Sequence, residues 1–267
     1  MATVTDQDIE NLKDLRRTIL QIVFHAKEGH IPSAFSILEI LYILYRDCLR
    51  FDPKAAKNSD DRDYFVLSKG HAGAGLYAVL AHFGFFTKNE LMGYCRPGSR
   101  FGGHPDALKV PGVEVSTGSL GHGIAVAVGI AMGLHLRKSP RKAVVLVGDG
   151  EMDEGSFWES VMMIRSLGLD NIIIIADCNR SQKYAHQFDY VRILEGFDWK
   201  TSSVDGHDLR ALSDQLRALI QTQGSGPAFV VAHTEKGHGI QRFVGDHGWH
   251  RRTPTTDEMT EFLRELM

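Results

Sequence analysis

The sequence predicts an α/β fold: a doubly wound, mainly parallel sheet with helices on both faces. Two apolar runs, residues 143–147 and 172–176, lack polar alternation, which is typical of strands buried on both faces. The stretch from Ser156 to Leu167 between them has a helical pattern, so the three segments together read as one β-α-β crossover. Glycine turns after the strands complete the pattern of an open parallel sheet.

The remaining elements follow in chain order. Thr5 and Asp8 form a capping-box pattern, and apolar residues at helical spacing then predict a first helix that ends near Gly29. A second apolar helix is expected from about Ala34 to Tyr45, so that N-terminal helices occupy about 6–46. The other predicted elements are a strand at 63–67, a small-residue helix to about 82, a short helix at 87–94, a buried glycine- and alanine-rich helix at 121–133, a loop at 181–192, an edge strand at 198–204, a helix at 208–221, a strand at 227–232 and a C-terminal helix at about 256–266. We expect residues 1–267 to form a single domain.

Charge and cysteine content exclude several classes of protein. The net charge of −3 gives no support to a nucleic-acid surface, which normally needs a basic excess. The three cysteines are far apart and odd in number, which argues against a disulfide framework and fits a cytoplasmic protein. Since no apolar run approaches 18 residues, we expect neither a signal peptide nor a membrane span.

Polar residues stand where the two central strands end. Asp149, in Gly148-Asp149-Gly150, follows the first run, and Asn179 follows the second. Parallel strands of one crossover end at the same edge of the sheet, where open α/β folds bind ligands. Carboxylate and amide oxygens suit Mg2+, which commonly shares its coordination with phosphates. A cation held by two side chains and a backbone carbonyl would leave positions for two phosphate oxygens, so the pattern indicates a diphosphate ligand.

Several histidines are candidates for the same edge. His71 follows a strand and a glycine at a helix start, where free N–H groups attract anions, although a local cap is the alternative. His30 lies in a Gly/Pro loop between helices, where a structural role is equally compatible with the sequence. His104 lies in the long loop at 96–119, and His238 and His250 follow the last strand.

The motifs as a set are similar to those of a known family. Gly148-Asp149-Gly150 followed by Asn179 resembles the thiamine diphosphate binding motif. The stretches 67–71, 103–105, 116–121 and 150–155 resemble transketolase in particular, and order and spacing agree from about residue 10 to 254. Because a full transketolase also has a pyrimidine-binding domain and a third domain, the chain resembles the N-terminal subunit of a split, two-chain transketolase.

The resemblance implies roles for individual residues. It assigns a Mg2+ ion (or Ca2+ or Mn2+ in its place) to the side chains of Asp149 and Asn179 and the backbone carbonyl of Ser181. Contacts to thiamine diphosphate are implied for His71, Gly118, Leu120, Gly150, Glu151, Asn179, His238 and His250. Catalytic roles are implied for His30, His71, His104, His250 and Glu154, the last facing the partner chain.

The function implied is transfer of a two-carbon ketol unit from a ketose (phosphate) donor to an aldose acceptor. The implied partner is a C-terminal transketolase subunit that carries the pyrimidine-binding domain, in an α2β2 assembly. The sequence departs from the family pattern in two stretches, 29–33 and 181–186. Because of these departures, the sequence does not identify the substrate. The alternatives are a subunit of another thiamine diphosphate enzyme, 2-oxo acid dehydrogenase-like or a hydroxyethyl- or glycolyl-transferring synthase, and a non-catalytic assembly subunit.

Overall fold

A computed structural model describes residues 3–54, 61–179, 188–222 and 226–267. Its strands are β1 (Tyr64–Leu67), β2 (Ala143–Gly148), β3 (Ile172–Cys178), β4 (Lys200–Asp205) and β5 (Ala228–His233). They pair in the order β1-β2-β3-β5-β4, and every pair is parallel. The predicted parallel sheet is therefore confirmed, and β4 is the edge strand expected from the sequence.

The helices of the described chain surround this sheet. They are α1 (Asp6–Ala26), α2 (Ile31–Ser36), α3 (Leu38–Ile43), α4 (Gly73–His82), α5 (His122–Leu136), α6 (Gly155–Ser166), α7 (Tyr190–Glu195), α8 (Leu209–Gln221) and α9 (Thr256–Glu265). Short 3-10 turns occur at Gly70–Ala72, Lys88–Gly93, Asp149–Asp153, Gln241–Phe243 and His247–Trp249.

The sheet is buried on both faces because successive side chains of a strand point in opposite directions. Along β2, Val144 and Leu146 join a core formed with α1, α2, α3, α4, α8 and α9. Val145 and Val147 join a second core with α5, α6 and α7. The doubly wound architecture, with helices on both faces, is thus confirmed.

The second helix is not the continuous element predicted for Ala34 to Tyr45. It begins earlier, at Ile31, with Pro32 in its first turn, where the fixed φ of proline suits a helix start. Ile37 then interrupts it with φ −111° and ψ 5°, and a π-helical turn, Leu44–Cys48, closes the segment. Residues 31–33, expected in a loop, are therefore helical and almost fully buried.

Two further expectations need correction. The loop predicted to run to Arg192 ends earlier, because Asp189 accepts a hydrogen bond from the backbone N–H of Arg192 (3.1 Å) and starts α7. The glycine-rich helix α5 was expected to be buried all round, but only one side packs on the sheet. Its other side exposes Val126 and Leu136, at 44% and 69%. Small residues let a helix approach its neighbour closely, but they do not indicate on how many of its sides a neighbour packs.

Within the described ranges, no helix has both the length and the apolar character that crossing a bilayer requires. The three cysteines are free thiols.

Candidate active site

The carboxyl ends of β1, β2, β3 and β5 meet around a cavity of about 180 Å³. The loop after each of these strands contributes to its wall, as predicted from the polar residues at the strand ends. The lining residues are Ser33, Lys69, His71, Leu120, Gly148, Asp149, Gly150, Glu151, Asn179, Lys236 and His250. Carboxylate, amide, ammonium and imidazole groups therefore share one small space.

Asp149 and Asn179 reach this cavity from neighbouring strands. Gly148 of β2 pairs with Asp177 of β3, so Asp149 follows one strand directly and Asn179 lies just past the end of the other. Asp149 is 8% exposed, and its Oδ1 accepts a hydrogen bond from the N–H of Gly150 (2.9 Å). A carboxylate and an amide oxygen at this position suit a hard cation such as Mg2+. The predicted third ligand, the carbonyl of Ser181, lies outside the described residues.

A buried ion pair beside the cation position was missed by sequence reasoning. Lys69 and Asp177 are 1% and 0% exposed, and the Lys69 ammonium forms a salt bridge with Asp177. Asp177 also accepts a hydrogen bond from Asn179 Nδ2 (2.9 Å). The available signal was the position of each residue: Lys69 in Ser-Lys-Gly-His, and Asp177 as an acid at the end of an otherwise apolar run.

Glu151 connects three loops of the cavity wall. Its side chain is fully buried, and Oε1 accepts hydrogen bonds from Ser68 Oγ (2.5 Å) and the N–H of Gly121 (3.0 Å). Oε2 accepts from the N–H of Gly148 (3.0 Å). Burial raises the pKa of this carboxyl group above its usual value. Glu151 was predicted as a cofactor contact, and the structure places it in the wall with both oxygens engaged by protein donors.

The loop that carries Gly118 and Leu120 packs against the turn before His71. Thr117 Oγ1 donates a hydrogen bond to the carbonyl of Leu67 (2.7 Å). A Cβ on Gly70 would lie 2.8 Å from the backbone nitrogen of Gly118, so only glycine permits this contact. Leu120 lines the cavity and is 38% exposed. The wall thus offers an apolar surface beside its polar groups.

Four predicted histidines form one cluster at the mouth of the cavity. His30 is central: its ring centroid lies 5.6 Å from that of His71, 6.2 Å from that of His104 and 5.2 Å from that of His250. The rings of His71 and His250 are 6.0 Å apart, and both also line the cavity. Four loops far apart in sequence therefore bring imidazoles together beside the candidate cation position.

Burial keeps three of the cluster histidines, His30, His71 and His250, neutral at pH 7. It lowers the pKa of His30 to about 4, with the nearby His250 and His104 adding to the effect. Burial also lowers the pKa of His71 to about 2, helped by the charge of Lys69. The pKa of His250 is lowered for the same reason. Neutral imidazoles can both donate and accept a hydrogen bond, which suits them to polar ligands.

Lys236 is a third residue that sequence reasoning missed. It follows β5, lines the cavity, and its Nζ lies 3.0 Å from His250 Nδ1. Burial lowers the pKa of its ammonium group, and the positive charge of Lys69 lowers it further. Since ammonium groups bind phosphates as point charges, this position is the natural complement to a cation-bound diphosphate.

The structure separates His238 from this cluster. Its ring stacks on that of His207, with centroids 3.6 Å apart and planes 12° apart. Both rings line a neighbouring, larger cavity of about 670 Å³. Of the two histidines predicted after the last strand, His250 is the one that lies beside the candidate cation site.

Glu154 lies at the end of the Asp149–Asp153 turn and is exposed. It packs against the loop of Leu120, since a Cβ on Gly121 would lie 2.9 Å from Glu154 Cβ. Its carboxylate is thus available to another molecule, and its role towards a partner stays a prediction.

Comparison with known proteins identifies the family. Residues 7–266 match the family described as "Transketolase, thiamine diphosphate binding domain". The chain belongs to this family. It is 38% identical to an apulose-4-phosphate transketolase subunit of Actinobacillus succinogenes, over 98% of this chain and 96% of that protein. It is 32% identical to the 6-deoxy-6-sulfo-D-fructose transketolase subunit SqwG of Clostridium sp., over 94% of this chain and 93% of that protein.

The fold agrees with that of solved transketolases. The transketolase of Campylobacter jejuni superposes with a TM-score of 0.87 at 26% identity, over 98% of this chain and 43% of that one. The chain thus spans less than half the length of that single-chain enzyme, but nearly all of the two separate subunits from Actinobacillus and Clostridium. The interpretation of the sequence as a transketolase-type N-terminal subunit is confirmed.

Proposed function

We propose that residues 1–267 form one thiamine diphosphate-binding domain that acts as the N-terminal subunit of a two-chain transketolase. The observation that carries this proposal is the single cavity in which cation-binding oxygens, two lysines and two histidines of a four-histidine cluster meet. The reaction is transfer of a two-carbon ketol unit from a ketose donor to an aldose acceptor.

The residues present fit a diphosphate with a divalent cation. Asp149 and Asn179 offer hard oxygens, and Lys236 places a positive charge in the same cavity. A Cβ on Gly150 would meet no atom within 4 Å, so the backbone there borders open space that a ligand can occupy. We therefore assign thiamine diphosphate and Mg2+ to this cavity, with Asp149 and Asn179 as side-chain ligands.

Bound thiamine diphosphate would supply the electron sink for the carbon–carbon bond chemistry. The chain's own residues bind and orient it. Gly118 and Gly150 would provide backbone close to the diphosphate, and Leu120 would provide an apolar contact. Lys236 would balance the negative charge, and the neutral His71 would offer a hydrogen bond. Glu151 holds the loops of Gly121 and Gly148 in place.

The histidine cluster is the proposed substrate end of the site. Because His30, His71 and His250 are neutral at pH 7, each can accept a hydrogen bond from a substrate hydroxyl at one ring nitrogen and donate one to a carbonyl oxygen from the other. His104 is exposed at the edge of the cluster and can contact the part of the donor that projects outwards.

The proposed partner is a C-terminal transketolase subunit that carries the pyrimidine-binding domain, in an α2β2 assembly located in the cytoplasm. Two observations support a partner: relatives of this length are named as subunits of a transketolase rather than as whole enzymes, and Glu154 is exposed beside the cavity loops. In the complete enzyme Glu154 would meet a residue of the partner near the cofactor.

The test is co-expression with a candidate C-terminal transketolase subunit. Two-carbon transfer is expected only when both chains, thiamine diphosphate and a divalent cation are present. Asp149→Ala should lower turnover roughly 100-fold or more, because losing a ligand costs at least as much as losing an outer contact to one. The matched control is Asp153→Ala, an exposed acid of the same turn that does not line the cavity. Activity of this chain alone, or unchanged turnover in Asp149→Ala, contradicts the proposal.

A donor screen identifies the substrate. The relatives are named for apulose 4-phosphate and for 6-deoxy-6-sulfo-D-fructose, so both a phosphorylated and a sulfonated ketose belong in it, together with hydroxypyruvate and pyruvate. Transfer from a ketose or hydroxypyruvate supports the proposal. Use of pyruvate alone would indicate a hydroxyethyl-transferring enzyme instead.

A further inference from the structure

Asp177 stands at the centre of a buried network directly behind Asn179. Its carboxylate accepts hydrogen bonds from four side chains of four different segments. The donors are Ser36 Oγ (2.8 Å), Asn179 Nδ2 (2.9 Å), Lys69 Nζ and Thr234 Oγ1. Asp177 is 0% exposed, so none of these bonds competes with bulk water.

This network determines which end of the Asn179 amide can face the cavity. An ionised carboxylate only accepts hydrogen bonds, so the NH2 group of Asn179 must point towards Asp177. Ser36 Oγ, 3.3 Å from the same Nδ2, supports that orientation. The planar amide then turns its carbonyl oxygen away from Asp177. Asn179 thus presents to its surroundings the oxygen that a cation needs, rather than the NH2 group that would repel one.

Lys69 makes a buried carboxylate possible at this position. An unpaired buried charge is strongly destabilising, and the Lys69 ammonium compensates Asp177 within the protein. Lys69 also approaches Ser36 Oγ (3.4 Å), so the ion pair and the amide share the same hydrogen-bonding partner. Loops after β1 and β5 and the helix α2 are all attached to Asp177 by these contacts.

We propose that Lys69 and Asp177 are positioning residues that preset the Asn179 carbonyl oxygen for the divalent cation. This inference rests on the proposed function, which assigns the cation to Asp149 and Asn179. Residues behind metal ligands orient them, and their loss typically weakens metal binding by about 10–100-fold. Neither Lys69 nor Asp177 needs to touch the cation or the substrate for this effect.

The test measures cation affinity rather than turnover. The co-expressed two-chain complex is titrated with Mn2+ in saturating thiamine diphosphate, and free Mn2+ is read by electron paramagnetic resonance. The main variant is Asp177→Leu combined with Lys69→Met, which replaces the ion pair by apolar side chains of similar shape and leaves no unpaired charge. We expect its Mn2+ dissociation constant to rise about 10–100-fold.

A second variant and a matched control keep the result interpretable. Asp177→Asn retains one acceptor oxygen, for which Lys69 and Asn179 compete, so we expect a smaller rise in the Mn2+ dissociation constant. The control is Asp63→Leu, a buried acid that accepts hydrogen bonds from the N–H groups of Arg50 (2.8 Å) and Lys142 (2.9 Å) just before β1. It loses a comparable carboxylate at the opposite end of the sheet, and its folded fraction should bind Mn2+ as the wild type does.

The outcomes are distinct. Weaker Mn2+ binding in both Asp177 variants, with wild-type affinity in Asp63→Leu, supports the inference. Wild-type affinity in the Asp177 variants overturns it, and so does an equal loss in the control, because the effect would then be general to the fold. If the wild-type complex itself binds no Mn2+ with thiamine diphosphate, the proposed function fails and this inference with it.

Discussion

The two ends of the candidate site are built in opposite ways. At the cation end, Glu151 and Asp177 are fully buried and accept three and four hydrogen bonds from protein donors. At the histidine end, the rings stand 5.2 to 6.2 Å apart around His30. Among the residues that the structure covers, His30 Nδ1 is buried and has no hydrogen-bond partner.

The difference indicates what each end is for. Buried polar groups that are fully paired fix a geometry, and a cation site needs fixed ligands. An unpaired buried nitrogen is costly unless something else completes it, which is expected where a substrate supplies the missing hydroxyl. Removing one of the buried, paired groups of the cation end should therefore cost stability in addition to any effect on the cation, whereas removing an exposed histidine should cost mainly activity.

The largest expected effect is that of Lys69→Met at the cation end. It leaves the carboxylate of Asp177 buried without its counter-charge, which should lower the free energy of unfolding by about 3–5 kcal/mol. Urea denaturation of the purified chain measures this. The control is Lys88→Met, which breaks the exposed pair with Asp14 and should cost about 1 kcal/mol or less. If Lys69→Met lowers the free energy of unfolding as little as the control does, Lys69 is not the counter-charge on which the buried carboxylate of Asp177 depends.

Glu151→Gln should cost about 1–3 kcal/mol, since the amide has one acceptor oxygen where the carboxylate has two, and a buried N–H or O–H loses its partner. Thermal or urea unfolding gives the value. Glu265→Gln serves as the control, because within the described ranges that exposed carboxylate accepts a hydrogen bond from one N–H group, that of Gln241 (2.8 Å). If Glu151→Gln and Glu265→Gln change the free energy of unfolding equally, Glu151 does not hold the three loops together.

His104→Asn tests the other end. Its ring is exposed, so the free energy of unfolding should change by less than about 0.5 kcal/mol. Loss of a proton-transferring or substrate-binding group should still lower kcat/KM on the order of 100-fold in the two-chain enzyme. His135→Asn, an exposed histidine of α5 outside the cluster, should leave kcat/KM unchanged. A stability loss without an activity loss in His104→Asn would reverse the contrast between the two ends.

Much of the site was readable from the sequence because it lies where strands end. Apolar runs locate β2 and β3, and their parallel pairing brings Asp149 and Asn179 to one edge. His30, His71, His104 and His250 were candidates for the same edge because of the loops in which they lie, and the family resemblance then implied their roles.

The residues that escaped prediction depend on contacts between distant segments. Asp177 and Lys69 look like ordinary strand-end polar residues until the fold buries them against each other. The position of His238 is decided by stacking on His207, from another loop. The break at Ile37 in the second helix was also not predicted, since apolar residues continue through it. Local sequence patterns predict the helices and strands. Which charged groups are buried and which rings are in contact depends on how those elements are arranged in space.

The smallest expected effect is a pH dependence of stability at the histidine end. In the unfolded chain His30 titrates near 6.5, whereas burial lowers its pKa to about 4 in the folded state. Between these values the unfolded state binds more protons, so stability must fall as the pH is lowered from about 7 towards 4. Since the ring is partly exposed, we expect only about 1 kcal/mol between pH 7 and pH 5.

His30→Asn removes this contribution. Urea unfolding at pH 7 and pH 5 should show the wild type losing about 1 kcal/mol more than the variant. His25→Asn is the control, because its exposed ring loses little water on folding and should leave the wild-type pH dependence intact. If the free energy of unfolding falls by the same amount in His30→Asn and in the wild type, burial does not hold the His30 ring neutral. The histidine end would then have to be as well hydrogen-bonded as the cation end.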